Sequence, residues 1–192
     1  MKYECGPKWD RRVITVDPKE GDAILMSGGI DSFVLYHLLD NPIAFNITRA
    51  DGIDNAPHIK QLIGKDPISI EDGFADDPDV LSTNRIPDGV TKIIARYKPA
   101  QLYTGTNIIP HTEYFPEFNS SGKPYRQWRP ERDPARVISP FAHLYKYHII
   151  DLANQIGLDL SDTQTCALET TTHCGTCWPC KEKLWGYAQL NL

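Results

Sequence analysis

The order Ala23-Ile24-Leu25-Met26, Ser27-Gly28-Gly29-Ile30-Asp31-Ser32, Phe33-Val34-Leu35-Tyr36 constrains this chain most. An apolar run, a glycine pair and a second apolar run at helical spacing read as strand, tight turn and helix. Two glycines let the backbone turn sharply and come close to an anion without Cβ interference. Two serines supply hydroxyls, and the first turn of the following helix presents N–H groups with no intrahelical acceptor. The corner is therefore a candidate pyrophosphate cradle. It has neither the lysine of the Gly-x-x-x-x-Gly-Lys-Ser/Thr loop nor the third glycine of the dinucleotide fingerprint, so both of those nucleotide sites are excluded here.

Further along, strand-like and helix-like stretches alternate. Residues 30–40 have a helical apolar period that stops before Pro42, and 43–48 read as a second strand. A helix is expected over 54–63, with Pro57 in its first turn and Gly64 as its terminator. Strands at 67–70 and 101–105 flank a helix at 90–97, and order resumes at 137–141 before a helix over 144–156 ended by Gly157. Residues 12–16 are long enough for a short strand or an extended arm. This alternation predicts an α/β fold with a doubly wound, mostly parallel sheet, whose ligands lie beyond the carboxyl ends of the strands. The loop at 27–32 occupies such an end.

With 192 residues, 41% hydrophobic and 23% charged, the chain fits a single globular domain, residues 1–192, and no apolar run approaches the ~18 residues of a membrane helix. Its first ten residues have no apolar core of the secretory-signal kind, so a cytoplasmic location is expected. A net charge of −5 argues against a broad grip on nucleic acid and favours a small substrate. Two stretches lack periodicity. Residues 71–79 carry Glu71, Asp72, Asp76, Asp77 and Asp79, which read as a solvated acidic loop or a cation site; residues 106–136 are rich in proline and aromatics, and their Arg126, Arg129, Arg132 and Arg136 read either as a clamp for anions or as solvated surface.

Four of the five cysteines, Cys166, Cys174, Cys177 and Cys180, form Cys-x7-Cys-x2-Cys-x2-Cys. Four thiolates meet the tetrahedral demand of structural zinc and leave no open position for water activation; an iron–sulfur cluster and a redox Cys-x2-Cys pair are the other chemistries this pattern serves. With the cysteine set complete, His173 reads as a neighbour of the centre rather than a ligand. Cys5 reads as a plain thiol. Residues 160–192 form the expected metal-binding subregion.

The Ser27 to Ser32 stretch resembles the Ser-Gly-Gly-x-Asp-Ser loop of the PP-loop ATP pyrophosphatases. Together with the tail His173-Cys174-Gly175-Thr176-Cys177-Trp178-Pro179-Cys180, followed by Gly186-Tyr187, it resembles the 7-cyano-7-deazaguanine synthases of the QueC family. Gly105-Thr106-Asn107 is similar to that family's Gly-x-Asn turn, and Pro140-Phe141 with Lys146 is similar to its Pro-leucine-rich-Lys element. The resemblance implies ATP, Mg²⁺ and Zn²⁺ as cofactors, a carboxylate substrate with ammonia, and a homodimer. It implies nucleotide contacts from Met26, Ser27, Gly28, Gly29, Ile30, Asp31, Ser32, Gly105 and Asn107, catalytic roles for Asp31 (holding Mg²⁺ or orienting the loop) and Lys146 (neutralising phosphate charge), and zinc on Cys166, Cys174, Cys177 and Cys180. Asn46-Ile47-Thr48-Arg49-Ala50-Asp51 stands where the family has Tyr-Gly-Gln-x-His, and Tyr114-Phe115-Pro116-Glu117-Phe118 only echoes its Gly-Tyr-Pro-Asp-Cys segment. These departures leave open a QueC-like adenylating enzyme for another carboxylate; a sulfonucleotide reductase, which shares the PP-loop fold, and a non-catalytic zinc-stapled binding module are the other readings.

Overall fold

The computed structural model describes residues 1–48, 54–70, 85–110, 137–166 and 173–192. The acidic stretch 71–79, the arginines between 126 and 136, Tyr114 to Phe118 and residues 49–51 lie outside the described residues.

Five strands form one parallel sheet: β3 (Ala23–Leu25), β4 (Ile43–Ile47), β5 (Ile68–Ile70), β6 (Leu102–Thr104) and β7 (Val137–Ile138), in the order β5-β4-β3-β6-β7. Side chains alternate between its two faces. Ile24, Met26, Ala44 and Tyr103 join the core that also contains Ile30, Val34, Leu35 and Ile59, while Ala23, Phe45, Ile70 and Leu102 pack with Val90 and Ile93 on the other face. Helices α1 (Ile30–Leu38), α2 (Ala56–Ile63) and α4 (Lys146–Gln155) thus share one face, and α3 (Arg85–Tyr97) covers the opposite one. Strands covered on both faces are continuous apolar runs, and that is how they read in the sequence. The doubly wound α/β expectation holds. No helix among the described residues is long and apolar enough to cross a membrane.

Several boundaries differ from the periodicity. Helix α1 stops at Leu38 because Asp40 and Asn41 take φ of 55° and 63°, the left-handed region that short polar side chains tolerate. Helix α3 starts five residues earlier than expected, with Pro87 in its opening turn, where no N–H is needed. The same helix uses Gly89 to lie against β4: a Cβ there would sit 2.4 Å from Ile47 Cδ1. The expected strand or arm at 12–16 is β2 (Arg12–Thr15), paired antiparallel with the unanticipated β1 (Lys2–Cys5). This hairpin is fastened to α4, since Gly6 N–H donates to Asp151 at 2.8 Å and Tyr147 hydroxyl to Asp10 at 2.5 Å. A fifth helix, α5 (Trp178–Gln189), was also unanticipated and packs on α4.

Candidate functional site

The order of the sheet reverses direction at β3, which has β4 on one side and β6 on the other. The loops that leave the carboxyl ends of β3 and β6 therefore border one crevice, the usual ligand position of an open parallel sheet. Residues 27–32 leave β3, and Gly105 to Asn107 leave β6.

The β3 loop is held by its own serines. Ser32 Oγ accepts the Ser27 N–H at 3.2 Å, lies 3.2 Å from Ser27 Oγ and donates to the Gly29 carbonyl at 3.1 Å. Met26 and Ile30 are buried at either end, the Met26 N–H donating to the Phe45 carbonyl at 2.7 Å. Gly28 has φ of +81°, and a Cβ on it would meet His58 Cδ2 at 2.8 Å. Glycine is required on both counts. Gly105 is equally constrained, because a Cβ would stand 2.9 Å from Asp31 C and Ser32 N, the backbone of the first turn of α1. The absence of side chains at 28 and 105 brings the two crevice loops together. Helix α1 has no side-chain cap on Gly29, so its first-turn N–H groups face the loop without an intrahelical acceptor.

Asp31 projects from that turn to Lys146, the first residue of α4. Lys146 Nζ lies 2.6 and 2.5 Å from the two Asp31 oxygens and 3.3 Å from Glu182 on α5. Asn107 Nδ2 donates to Glu182 at 2.8 Å, so residues from the loop after β6 and from α1, α4 and α5 meet in one polar network. Lys146 and Glu182 are only 3% and 2% exposed. Burial alone would lower the Lys146 pKa, but Asp31 and Glu182 hold it above the ordinary lysine value. Burial raises that of Glu182, against the pull of Lys146. A lone helix lysine is ordinarily solvated; here it is fully paired. The Asp31 carboxylate faces an ammonium, and this pair rather than helix capping accounts for its position.

A cavity of about 280 Å³ opens beside Gly28, lined among others by His58, Gln61, Asp162, Gln164 and His173. His58 is half-buried beside Gly28, and burial lowers its pKa.

Cys166, Cys174, Cys177 and Cys180 converge, their four Sγ atoms all within 4.8 Å of one another. The Cys174–Cys180 and Cys166–Cys177 separations are 4.0 and 3.9 Å. A tetrahedron with metal–sulfur bonds of ~2.3 Å has edges of roughly 3.8 Å, so these sulfurs fit a single ion. A four-iron cluster gives each cysteine its own iron and spreads the sulfurs further. The turn is built for thiolate: Thr176 hydroxyl and Cys177 N–H donate to Cys174 Sγ at 3.4 and 3.2 Å and lower its pKa to about 6. His173 lies beside the centre, its Nδ1 3.9 Å from Cys180 Sγ and its Nε2 accepting from Lys183 at 3.1 Å. Cys5 is buried in the core among apolar side chains.

Sequence reasoning did not find Glu182 or His58. Glu182 is flanked by Lys181 and Lys183 and looks like a solvated charge run, and a single histidine on a short helix carries no signal of its own.

Residues 112–191 match the family model described as queuosine biosynthesis protein QueC. Among curated proteins, the 7-cyano-7-deazaguanine synthases of Nostoc punctiforme and of a second Nostoc strain are 32% and 34% identical to this chain over 62 residues, which is 32% of the chain and 28% and 27% of those proteins. That of Chromohalobacter salexigens is 36% identical over 55 residues, 29% of this chain and 22% of its own length. The aligned part thus spans about a quarter of the curated relatives. A solved structure of the U34-tRNA thiolase NcsA from Methanococcus maripaludis with its [4Fe-4S] cluster superposes with a TM-score of 0.46 at 14% identity, covering 88% of this chain and 70% of that one. The family match takes in Lys146, Glu182 and all four converging cysteines, so the QueC resemblance read from the sequence holds over the C-terminal part of the chain.

Proposed function

We propose that this chain is an ATP-dependent carbon–nitrogen ligase that converts 7-carboxy-7-deazaguanine and ammonia to the 7-cyano compound. The observation that carries the reading is the meeting, through Lys146 and Glu182, of a Ser-Gly-Gly-x-Asp-Ser loop at the sheet's switch point with a four-cysteine centre inside the QueC match.

A carboxylate does not acylate ammonia at neutral pH, because its leaving group is poor. Attack of the carboxylate oxygen on the α-phosphorus of ATP breaks the bond to the β-phosphate oxygen and expels pyrophosphate. Ammonia then adds to the acyl carbon, AMP leaves with the bonding pair, and loss of a proton leaves the amide. A second adenylation, on the amide oxygen, again expels pyrophosphate; breaking the C–O bond with its pair on AMP and losing the two nitrogen protons gives the nitrile. In this scheme Ser27, Gly28, Gly29 and Ser32 would receive the departing pyrophosphate through N–H and hydroxyl donors fixed before charge develops. Lys146 would act from behind Asp31, holding the first turn of α1 in place, and Gly105 and Asn107 would close the crevice from β6. Mg²⁺ bound with the nucleotide would neutralise phosphate charge. Zinc on Cys166, Cys174, Cys177 and Cys180 would supply architecture only, making residues 160–192 a metal-bearing subregion of one domain. The compact sulfur set favours this reading over a reductase with an iron–sulfur cluster.

The departure at Asn46 to Asp51 supports one other reading, the same adenylation and amide formation on a different carboxylate. Incubation with ATP, Mg²⁺, ammonium and 7-carboxy-7-deazaguanine, followed by mass spectrometry, separates the two. Amide or nitrile that is lost in Asp31→Ala is expected. Pyrophosphate release with other carboxylates but not this one would move the assignment to the second reading.

A further inference from the structure

The four-cysteine centre reaches the phosphate loop by two separate routes. Cys166 ends an arm whose Gln164 N–H donates to the Gly28 carbonyl at 2.9 Å; Gln164 O and Thr165 Cγ2 would each lie 3.6 Å from a Cβ on Gly29. Cys177 caps the start of α5 and Cys180 sits in its first turn, and two residues later Glu182 closes on Lys146. Helix α5 cannot slide freely on α4, because Gly186 brings the two within contact: a Cβ there would meet Ile150 Cδ1 at 2.8 Å and Lys146 Cγ at 3.0 Å. An ion shared by Cys166 and the three cysteines at the start of α5 would join the arm and the helix into one body. The arm touches the loop directly, and the helix reaches it through Lys146.

We propose that occupancy of the four-sulfur site and occupancy of the phosphate loop are thermodynamically coupled, with Glu182 as the positioning residue that transmits the coupling through Lys146 to Asp31. The inference rests on the reading of residues 27–32 as a nucleotide site. With the ion in place, α5 is fixed, Glu182 and Asn107 hold Lys146, and Asp31 keeps the first-turn N–H groups of α1 aimed at the crevice. Without it, α5 and the arm are held only by their packing, and the loop must be ordered by the nucleotide itself. That ordering cost appears as weaker binding. Linkage is reciprocal, so nucleotide must tighten metal by the same factor that metal tightens nucleotide.

Calorimetry with α,β-methylene ATP and Mg²⁺ on zinc-loaded and chelator-stripped protein reads one side of the cycle. Competition of the loaded protein with a chromogenic zinc chelator, with and without that analogue, reads the other. We expect nucleotide to bind about tenfold more tightly to loaded protein and zinc to be held more tightly by the same factor. In Glu182→Gln zinc should still bind, while both factors fall together to the part carried by the Gln164 arm. Equal factors near one in the wild-type chain, or full coupling in Glu182→Gln, overturn the proposal while leaving the nucleotide site standing. Absence of any nucleotide binding to loaded protein removes that site and the coupling together. The competition arm starts from loaded protein; where the metal-free chain unfolds, the comparison with Glu182→Gln separates coupling through Lys146 from coupling through folding alone.

Discussion

Lys146 Nζ and the Asp31 carboxylate form a two-pronged ion pair, at 2.6 and 2.5 Å, that joins the first turns of α4 and α1 across 115 positions of sequence. Because Glu182 stands on the other side of the same ammonium, one buried lysine serves two carboxylates. Removing it leaves the buried Glu182 carboxylate without a cationic partner, whereas removing Glu182 as well leaves only the Asp31 carboxylate, which is 22% exposed and open to hydration. Lys146→Met should therefore cost about 3–5 kcal/mol in urea unfolding. The double variant Lys146→Met with Glu182→Leu should be distinctly more stable than Lys146→Met alone. A double variant less stable than that single one would show that the network is not the source of the loss.

Gly105→Ala tests the closeness of the two crevice loops. Its methyl would press at 2.9 Å on backbone atoms of Asp31 and Ser32, which cannot rotate away as a side chain would. We expect a stability loss of roughly 1–3 kcal/mol from overpacking and a larger proportional loss of ATP binding, because the displaced atoms belong to the loop itself. Unchanged nucleotide affinity, measured by calorimetry, would mean that the first turn of α1 does not receive the phosphates.

The contrast between these two positions explains what the sequence made legible. The apolar runs of β3, β4 and β6, the glycine turn and the four spaced cysteines are local patterns, each written within about fifteen residues, and the α/β sheet follows from them. The polar network is not local. Asp31, Lys146 and Glu182 come from three helices and Asn107 from the loop after β6, and each taken singly looks like a solvated residue. Helix α5 was missed for a related reason. Its amphipathic pattern is weak because Lys181-Glu182-Lys183 buries its central charge, and only contact with α4 shows which side is inward. The N-terminal hairpin escaped because β1 is short and half-exposed, with only Cys5 fully buried.

His148 should contribute to the response to acid. Its Nδ1 accepts the Tyr145 N–H at 3.1 Å, and its Nε2 lies 2.9 Å from the Asp10 carbonyl, so the ring is neutral, with its proton on Nε2. Burial lowers its pKa from 6.5 to about 4, despite the opposing pull of Asp10. A histidine that resists protonation when folded but accepts it when unfolded stabilises the fold fully above the unfolded value, and that stability is lost as pH falls from 6.5 toward about 4. At about 1.4 kcal/mol per unit the upper limit is roughly 3 kcal/mol. Denaturant unfolding at pH 7 and pH 4.5 should show this loss, with a smaller loss in His148→Gln. An equal pH dependence in the two proteins would assign the acid response to other groups.

The cysteine centre makes a stoichiometric prediction. Four sulfurs that all lie within 4.8 Å of one another suit one ion, so the purified chain should carry one zinc per polypeptide and no acid-labile sulfide. Cys177→Ser should lower zinc content and thermal stability together, because it removes one of the four thiolates while serine still suits the start of α5, and added zinc should restore the stability of the wild-type chain after chelation but not that of the variant. Cys5→Ala is the control, since Cys5 is buried among the apolar side chains of the core and pairs with the Arg12 carbonyl at 3.7 Å. It should change stability modestly and zinc content not at all. Iron with sulfide in the wild-type protein, or zinc retained in full by Cys177→Ser, would refute a single zinc on these four thiolates.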